Sequence, residues 1–375
     1  MRRRTVAVLV LAAFASGSVV AAVSGGGVQA PPAPPGPHPV QLEPKPKPTP
    51  KSKPRPRPLP TVEIAAVGDI TLGRTPSLPA GGPGTLFHGV ERPLHGDLVL
   101  GNLETTLTEQ GYARCVAGSA GCFTFRAPPA YARGLRAAGY TILNLANNHA
   151  YDFGAAGQAE TVAALDRAGL LHTGRPGEIA YLQAGDVRIA VVGFAPYRWA
   201  QSLLSIPDAQ RLVRRAGRNA DVVVATMHAG GEGGGYTHVG RGSESYLGEP
   251  RGDVIAFAHA VVDAGADVVI GHGPHVLRGL QWYHGRLIAY STGNFAGYNN
   301  FGLGGNLSLS AIFRVTLRPD GSFVKGRWVP VRLVGPGLPQ LDYSKASLHL
   351  VSTLSREDFG AHGARFTADG RIRTG

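Results

Sequence analysis

Side chains that can bind metal ions recur in this sequence directly after short apolar runs. They are carboxylates, an amide and imidazoles, at Asp69, Glu104, Asn148, His228, His272 and His275. The apolar runs predict strands, and open α/β sheets place their ligands at the carboxyl ends of strands. A single histidine at such a point is usually a core or surface residue. Because the pattern repeats at five predicted strand ends, it indicates one shared site.

This mixture of oxygen and nitrogen ligands suits divalent metal ions. Carboxylates supply charge and can bridge two ions, while an amide oxygen and neutral imidazoles complete the coordination. Two ions about 4 Å apart could hold an anionic substrate and activate a water molecule for in-line attack. We therefore expect one or two ions of Mn, Fe or Zn, since mixed ligands suit all three metals.

Three further side chains are candidates for substrate contacts. Arg74, shortly after Asp69, could bind an anionic group, with a surface ion pair as the alternative. Glu232 lies in a glycine-rich run, HAGGEGGG, that lets the backbone pass close to a substrate or metal. Asn294 ends a predicted strand, where it could contact a ligand or form a turn. The sequence has no G-x-S-x-G motif, which excludes a serine hydrolase of the lipase type.

The N-terminus has the pattern of an export signal. Three arginines at 2–4 precede an apolar stretch at 5–14, and small residues lead to a candidate cleavage site near Ala22. The stretch 6–23 also has roughly the length that spans a membrane. Residues 1–30 therefore predict a cleaved signal peptide or an N-terminal anchor. Either outcome makes the protein secreted or attached to the cell envelope, with membrane contact only through an uncleaved N-terminus.

The positive charge is concentrated near the N-terminus. The formal net charge is +12, and residues 1–60 contain nine Lys or Arg and one acid. Residues 31–60 are rich in proline and basic side chains, which predicts an extended spacer rather than a core. The rest of the chain is nearly balanced. We expect no compact basic face with interleaved aromatic residues, and hence no nucleic-acid partner.

The two cysteines predict a local disulfide. Cys115 and Cys122 are seven residues apart, and an exported chain meets an oxidising compartment.

Strand and helix patterns alternate along the chain and then give way to strands. The predicted strands are Val62–Val67, Leu98–Leu100, Thr141–Leu145, Val187–Phe194, Asp221–Met227, Asp267–Ile270, Leu287–Ser291, Ala311–Leu317 and Phe323–Val331. The predicted helices are Ala130–Ala138, Gln158–Ala168, Asp208–Gly217 and Val254–Ala264. This order predicts a mixed sheet, or two sheets, covered by helices in a domain at 61–340. We expect Asp152 to cap the helix after it, and residues 341–375 to form a short helix and a loose tail.

Five blocks of the sequence resemble one known family. They are GDITLGR (68–74), NLE (102–104), NLANNHAYDFG (144–154), DAGADVVIGHGPHVLRG (263–279) and AYSTGNF (289–295). In order and spacing they resemble the CapA family of capsule and poly-γ-glutamate synthesis proteins, which belongs with the calcineurin-like metallophosphoesterases. The resemblance runs from about residue 62 to 300. It implies a metallophosphoesterase-like α/β sandwich of two mixed β-sheets flanked by helices.

The resemblance also implies roles for the metal-binding candidates. Asp69 would be a metal ligand and Glu104 the bridging carboxylate. His228 and His272 would bind one metal, and His275 the other.

A second pair of residues would take part in catalysis. By the resemblance, Asn148 would be an amide ligand, and His149 beside it would donate a proton or contact the transition state. Thr71 stands where the wider superfamily has a histidine, which would leave one metal site incomplete. Gly273 replaces the middle histidine of the usual G-H-H-P-H block.

These observations predict a metal-dependent hydrolase of the phosphoesterase type. Its substrate would be an anionic polymer or a phosphoester at the cell surface, and its partners the cell wall or a membrane-bound polymer synthase. His149 would stabilise or protonate the leaving oxygen. The alternative is a non-catalytic accessory protein that holds a polyanion or a synthase through a vestigial metal site.

Overall fold

The computed structural model describes residues 59–116 and 121–374. The predictions of a signal peptide or anchor at 1–30, and nearly all of the predicted spacer, lie outside the described residues. Within the described ranges, no helix is long and apolar enough to cross a membrane.

The strands and helices follow the predicted order, with additional short strands. The strands are β1 (Val62–Thr71), β2 (Leu98–Leu103), β3 (Thr106–Leu107), β4 (Arg126–Ala127), β5 (Ile142–Asn144), β6 (Leu171–Thr173), β7 (Ala180–Ala184), β8 (Val187–Phe194), β9 (Val222–His228), β10 (Glu244–Tyr246), β11 (Glu249–Gly252), β12 (Val268–His272), β13 (Leu280–Tyr283), β14 (Arg286–Ala289), β15 (Asn294–Gly297), β16 (Leu309–Leu317), β17 (Phe323–Val334), β18 (Leu338–Leu341), β19 (Arg365–Phe366) and β20 (Arg371–Arg373). The helices are α1 (Tyr131–Ala137), α2 (Gly154–Arg167), α3 (Ile206–Gly217), α4 (Val254–Asp263) and α5 (Ala346–Phe359).

Most of these strands form two mixed sheets. In the described part of the chain, the first sheet runs in the order β19-β20-β17-β16-β1-β2-β5-β6, with β15 beside β1 and β18 beside β17. Its β1, β2, β5 and β6 are parallel, while β16 and β17 are antiparallel to their neighbours. The second sheet has the order β13-β14-β12-β9-β8-β7, with β8, β9, β12 and β14 parallel. The antiparallel β7 and β13 close its edges.

The two sheets pack face to face, and their strands carry apolar residues on both faces of each sheet. Ile64 of β1 and Leu100 of β2 share one buried cluster with Val191 of β8, Val224 of β9 and Ile270 of β12. A second cluster joins the outer face of the first sheet to α1 and α2, and a third joins the second sheet to α3 and α4. The predicted α/β sandwich of two mixed sheets flanked by helices is confirmed.

The C-terminal segment differs from the loose tail expected from the sequence. The helix near 347–354 is present as α5, which buries Val351 and Leu354. Beyond it, β20 pairs with β17, and β19 pairs with β20. The indole N–H of Trp328 also donates to Ser347 at 3.1 Å. Residues 341–374 therefore complete the first sheet and its core, and the weak sequence pattern reflects how short these strands are.

The predicted disulfide joins Cys115 to Cys122, with their Cα atoms 5.7 Å apart. Arg114 next to it binds Asp152 twice, through its backbone N–H and through an ion pair of 3.0 Å. The disulfide thus lies beside the segment that carries His149.

A close contact between two glycines sets the end of β1. Gly68 lies against the backbone of Gly293, and a Cβ atom on Gly68 would overlap the Gly293 carbonyl oxygen. That oxygen accepts a hydrogen bond of 3.0 Å from the N–H of Asp69. Only a residue without a side chain fits here, so the contact places Asp69 at the meeting point of the two sheets.

We predict that Gly68→Ala destabilises the protein by about 1–3 kcal/mol, because the backbone of β1 must shift away from Gly293. Denaturant unfolding of the disulfide-intact protein measures this change. Gly84→Ala is the matched control, because a Cβ atom there meets nothing within 4 Å. Its effect should stay within about 0.5 kcal/mol, and equal stability of Gly68→Ala and wild type would contradict the contact.

Candidate metal centre

The strand ends of both sheets bring the candidate ligands together. Asp69 lies near the end of β1, and Glu104 directly follows β2. His228 and His272 end β9 and β12 and are paired in register. Parallel strands end at the same edge of a sheet, and the packed sheets place these two edges against each other.

The ligand atoms are within reach of a single ion. Atoms of Asp69, Glu104 and His228 all lie within 4.8 Å of one another, and all three residues are buried. His228 Nδ1 is 3.1 Å from Glu104 Oε1, and His272 Nδ1 is 3.6 Å from Asp69 Oδ1. His275 Nδ1 lies 3.2 Å from Asp69 Oδ2 and 4.0 Å from Glu104 Oε2. Five of the six predicted metal ligands therefore form one cluster.

Asn102, a polar residue at a strand end that could bind metal, connects the two carboxylates by hydrogen bonds, a role that the sequence did not predict. Its Nδ2 donates to Asp69 Oδ1 at 2.8 Å and lies 3.4 Å from Glu104 Oε1. Its Oδ1 accepts hydrogen bonds from Asn144 at 2.9 Å and from Asn147 at 3.1 Å. The available signal was that all three asparagines stand in the NLE and NLANNH blocks at strand ends.

Unsatisfied buried atoms test whether these residues fit a metal. Glu104 Oε2, His228 Nε2, both ring nitrogens of His272 and Asn148 Oδ1 are buried without a hydrogen-bond partner among the described residues. An unsatisfied buried polar group costs about 1–3 kcal/mol, and native proteins contain few of them. All of these atoms are potential metal ligands. The donor set therefore fits a divalent ion.

The electrostatics favour the ligand forms that metals require. Burial raises the pKa of Asp69, but a hydrogen bond with His275 and the nearby imidazoles outweigh it and hold that pKa well below its usual value. Burial lowers the pKa of His228 well below its usual value and that of His272 to about 4. A charged carboxylate and two neutral imidazoles are thus present at neutral pH.

The other two members of the cluster bind their protons more tightly than the free side chains do. Burial and the charge of Asp69 raise the pKa of Glu104 well above its usual value. Burial opposes the charge on His275, but Glu104 and Asp69 raise the pKa of His275 to about 10. Since ligands bind metals in their deprotonated forms, a cation would displace these protons.

His275 is held in an unusual conformation. Its φ is 58°, in the left-handed region that costs a non-glycine residue about 1–3 kcal/mol. Its Nδ1 lies 2.9 Å from Asn294 Oδ1, and Asn294 in turn donates to the carbonyl of Leu307 at 3.2 Å. Asn294, a predicted substrate contact, is placed to orient this imidazole.

His149 and Asn148 lie in the loop between β5 and α2. The His149 ring packs on Phe125 with ring centres 4.4 Å apart, and its Nδ1 is 2.9 Å from Asp152 Oδ2. The backbone N–H of His149 donates to Asn147, which also bonds to Asn102 of the cluster. The loop is thereby tied to the metal ligands.

The prediction that Asp152 caps α2 is wrong. The residue before this helix is Phe153, which makes no capping hydrogen bond. The carboxylate of Asp152 is buried and accepts instead from the N–H of Phe125 at 2.7 Å, besides contacting His149 and Arg114. These tertiary partners hold Asp152 away from the helix terminus. Its position gives it a role in orienting His149, which sequence analysis missed.

Of the two remaining candidates for substrate contacts, Glu232 lies near the cluster and Arg74 does not contact it, while Thr71 was not itself a candidate. Glu232 Oε2 is 3.9 Å from His275 Nε2, and its Oε1 is 2.7 Å from the buried Arg251. Arg74 is exposed in the turn after β1 and makes no polar side-chain contact with other described residues. Thr71 is buried, and its hydroxyl accepts from Asn300 at 3.4 Å.

Comparison with known proteins identifies the family. The model of the family described as "Bacterial capsule synthesis protein PGA_cap" matches residues 63–299. The chain belongs to this family. The resemblance to CapA proteins, predicted from the sequence blocks, is confirmed.

Two relatives are named as capsule or PGA biosynthesis proteins. The chain is 36% identical over 186 residues to "Capsule biosynthesis protein CapA" of Bacillus anthracis, covering 44% of this chain and 41% of the relative. It is 29% identical over 253 residues to "PGA biosynthesis protein CapA" of Bacillus subtilis strain 168, covering 61% of each. The matches thus span less than two thirds of these relatives. A putative 5′-nucleotidase structure from Staphylococcus aureus matches with 15% identity and a TM-score of 0.44, covering 79% of this chain and 58% of that one.

We predict that the full-length protein binds a divalent ion and that His228→Gln weakens this binding at least about tenfold, because one buried imidazole ligand is lost. Elemental analysis and titration with Mn²⁺ or Zn²⁺ measure the effect. His349→Gln makes the same change on the exposed surface of α5 and should bind like wild type. Undiminished binding in His228→Gln would contradict the assignment.

Proposed function

We propose that this member of the capsule synthesis family is a metal-dependent hydrolase of the phosphoester type. It would act outside the cytoplasm in the synthesis or processing of capsule, poly-γ-glutamate or another anionic surface polymer. The observation that supports this most directly is the buried cluster in which ligand atoms from both sheets face one another without hydrogen-bond partners.

The metal would supply positive charge that polarises a phosphoryl oxygen and lowers the pKa of a coordinated water. Asp69, Glu104, His228, His272 and His275 would hold it. Their strands are fixed in the core between the sheets, so the ligand geometry is set before substrate binds.

The loop between β5 and α2 would supply the proton for the leaving group. Asp152 accepts from His149 Nδ1, which leaves Nε2 as the atom that can donate to a leaving oxygen. The buried carboxylate also fixes the orientation of the imidazole ring. Asn148 precedes this histidine, and its unsatisfied Oδ1 could complete the metal coordination.

The disulfide supports an extracytoplasmic location. Disulfides persist in oxidising compartments and are rare in the cytosol. Such a location brings the protein to the cell wall and to a membrane-bound polymer synthase, the partners that we propose for it. The charged N-terminal pattern is consistent with the same route.

One observation favours the non-catalytic alternative. Thr71 stands where the wider superfamily has a histidine, and its hydroxyl accepts a hydrogen bond from Asn300. If one ion is too weakly held for catalysis, the cluster would serve as a binding site for a polyanion or synthase.

We predict that His149→Gln lowers kcat by about 10²–10⁴, because it removes the proton donor, while metal content stays unchanged. Hydrolysis of bis(p-nitrophenyl) phosphate and of a phosphomonoester by the metal-loaded full-length protein measures this effect. His349→Gln is again the matched control and should keep full activity.

One result would decide against the enzyme: metal-loaded wild type binds polymer yet turns over neither ester with Mn²⁺, Fe²⁺ or Zn²⁺. Turnover in His149→Gln equal to that of the control would instead remove His149 from the mechanism. Polymer binding that persists in Asp69→Asn, together with absent turnover, would support the accessory role.

A further inference from the structure

Cationic side chains lie together on one outer face of the first sheet, away from the metal centre. Strand register places Arg314 of β16 opposite Arg327 of β17, and Arg327 opposite Arg371 of β20. Lys325 and Arg373 lie two residues further along β17 and β20, on the same side of the sheet. We call these five residues the basic face.

Repulsion between the cations of the basic face destabilises the protein when no anion is bound there. Like charges placed directly opposite each other on neighbouring strands destabilise a sheet. Two of the arginines have acidic partners, since Arg314 pairs with Glu63 at 2.5 Å and Arg371 with Asp369 at 3.0 Å. The other three cations, Lys325, Arg327 and Arg373, are exposed and form no ion pair with any described residue. Positive charge is therefore left over where three strands meet.

The surface is concave. A groove of about 1230 Å³ runs across these strands, with Phe323, Val329 and Pro330 among its lining residues and Arg92 and Tyr343 beside them. The apolar and cationic side chains that line the groove suit an extended chain that carries repeated negative groups. The guanidinium groups can bind carboxylates in a bidentate manner, and neighbouring strands space them about 4.8 Å apart.

The groove is separate from the metal centre. Arg314 is in register with Ala65, and Thr316 of the groove with Glu63, four to six residues before Asp69 along β1. At about 3.3 Å per residue, this separation is roughly 13–20 Å. Substitutions in the basic face therefore leave the metal ligands in place.

We propose that the basic face is a second binding site, which takes a linear polycarboxylate such as a polyglutamate chain. We infer an anionic chain because the positive charges of Lys325, Arg327 and Arg373 have no acidic partners. The choice of carboxylates rests on the proposed role in polymer synthesis. The chain's own N-terminal segment cannot be the occupant, because residues 1–60 contain nine basic residues and one acid.

Binding of fluorescent poly-γ-glutamate to the full-length protein tests this proposal by anisotropy. The test variant carries Lys325→Gln, Arg327→Gln and Arg373→Gln, the three cations without acidic partners. The control carries Arg211→Gln, Arg214→Gln and Arg218→Gln, which remove equal charge from exposed positions on α3 and directly after it. We expect about tenfold weaker binding in the test variant, with a smaller dependence on salt, and less than about twofold change in the control.

Three outcomes would overturn the proposal. Equal losses in both variants would show attraction to net charge alone, and a loss in the control only would place the polymer on α3. Loss of binding to an inorganic polyphosphate chain, without loss for polyglutamate, would assign the face to phosphate. Unfolding midpoints verify that both variants fold. Metal content and ester hydrolysis should match wild type, so failure of the hydrolase proposal is distinguishable from failure of this one.

Discussion

Two fully buried carboxylates, Asp69 and Glu104, constrain the rest of this structure. They share the amide of Asn102 as a hydrogen-bond donor, and both lie where water cannot screen their charges. Like charges so close in a buried site cannot both be ionised without a compensating cation. The raised pKa values of Glu104 and His275 express this conflict. A divalent ion would resolve it and would take the buried atoms that lack hydrogen-bond partners as its ligands.

The sandwich architecture makes this arrangement possible. No single sheet holds the ligands, since β1 and β2 supply the carboxylates while β9 and β12 supply imidazoles. The apolar cluster between the sheets fixes their separation, and the glycine contact at Gly68 seats β1 against the loop before β15. The strained backbone of His275 then turns a further imidazole back toward Asp69. The geometry of the site therefore depends on the packing of the core, because a shift of either sheet would separate the ligands.

The sequence predicted those features that local patterns determine. Apolar runs located most strands, and the ligands that follow them came together as expected. The hydrogen bonds among Asn102, Asn144 and Asn147 were not predicted, because an asparagine at a strand end is equally typical of a turn. Asp152 precedes a helix, so local chemistry indicated a cap, whereas its partners Phe125 and Arg114 come from a distant loop.

The basic face is a further feature that local sequence patterns did not predict. Its cations come from three separate strands, β16, β17 and β20, and only the strand register sets them side by side. The two sites also differ in their physics. The candidate metal centre is buried, so its interactions are strong and little affected by salt, whereas the exposed face acts through screened charges. A chain held weakly at several exposed points can slide and be released. A protein that processes a long polymer at one buried centre would need a second surface that binds weakly. Tight binding at both places would prevent the polymer from moving.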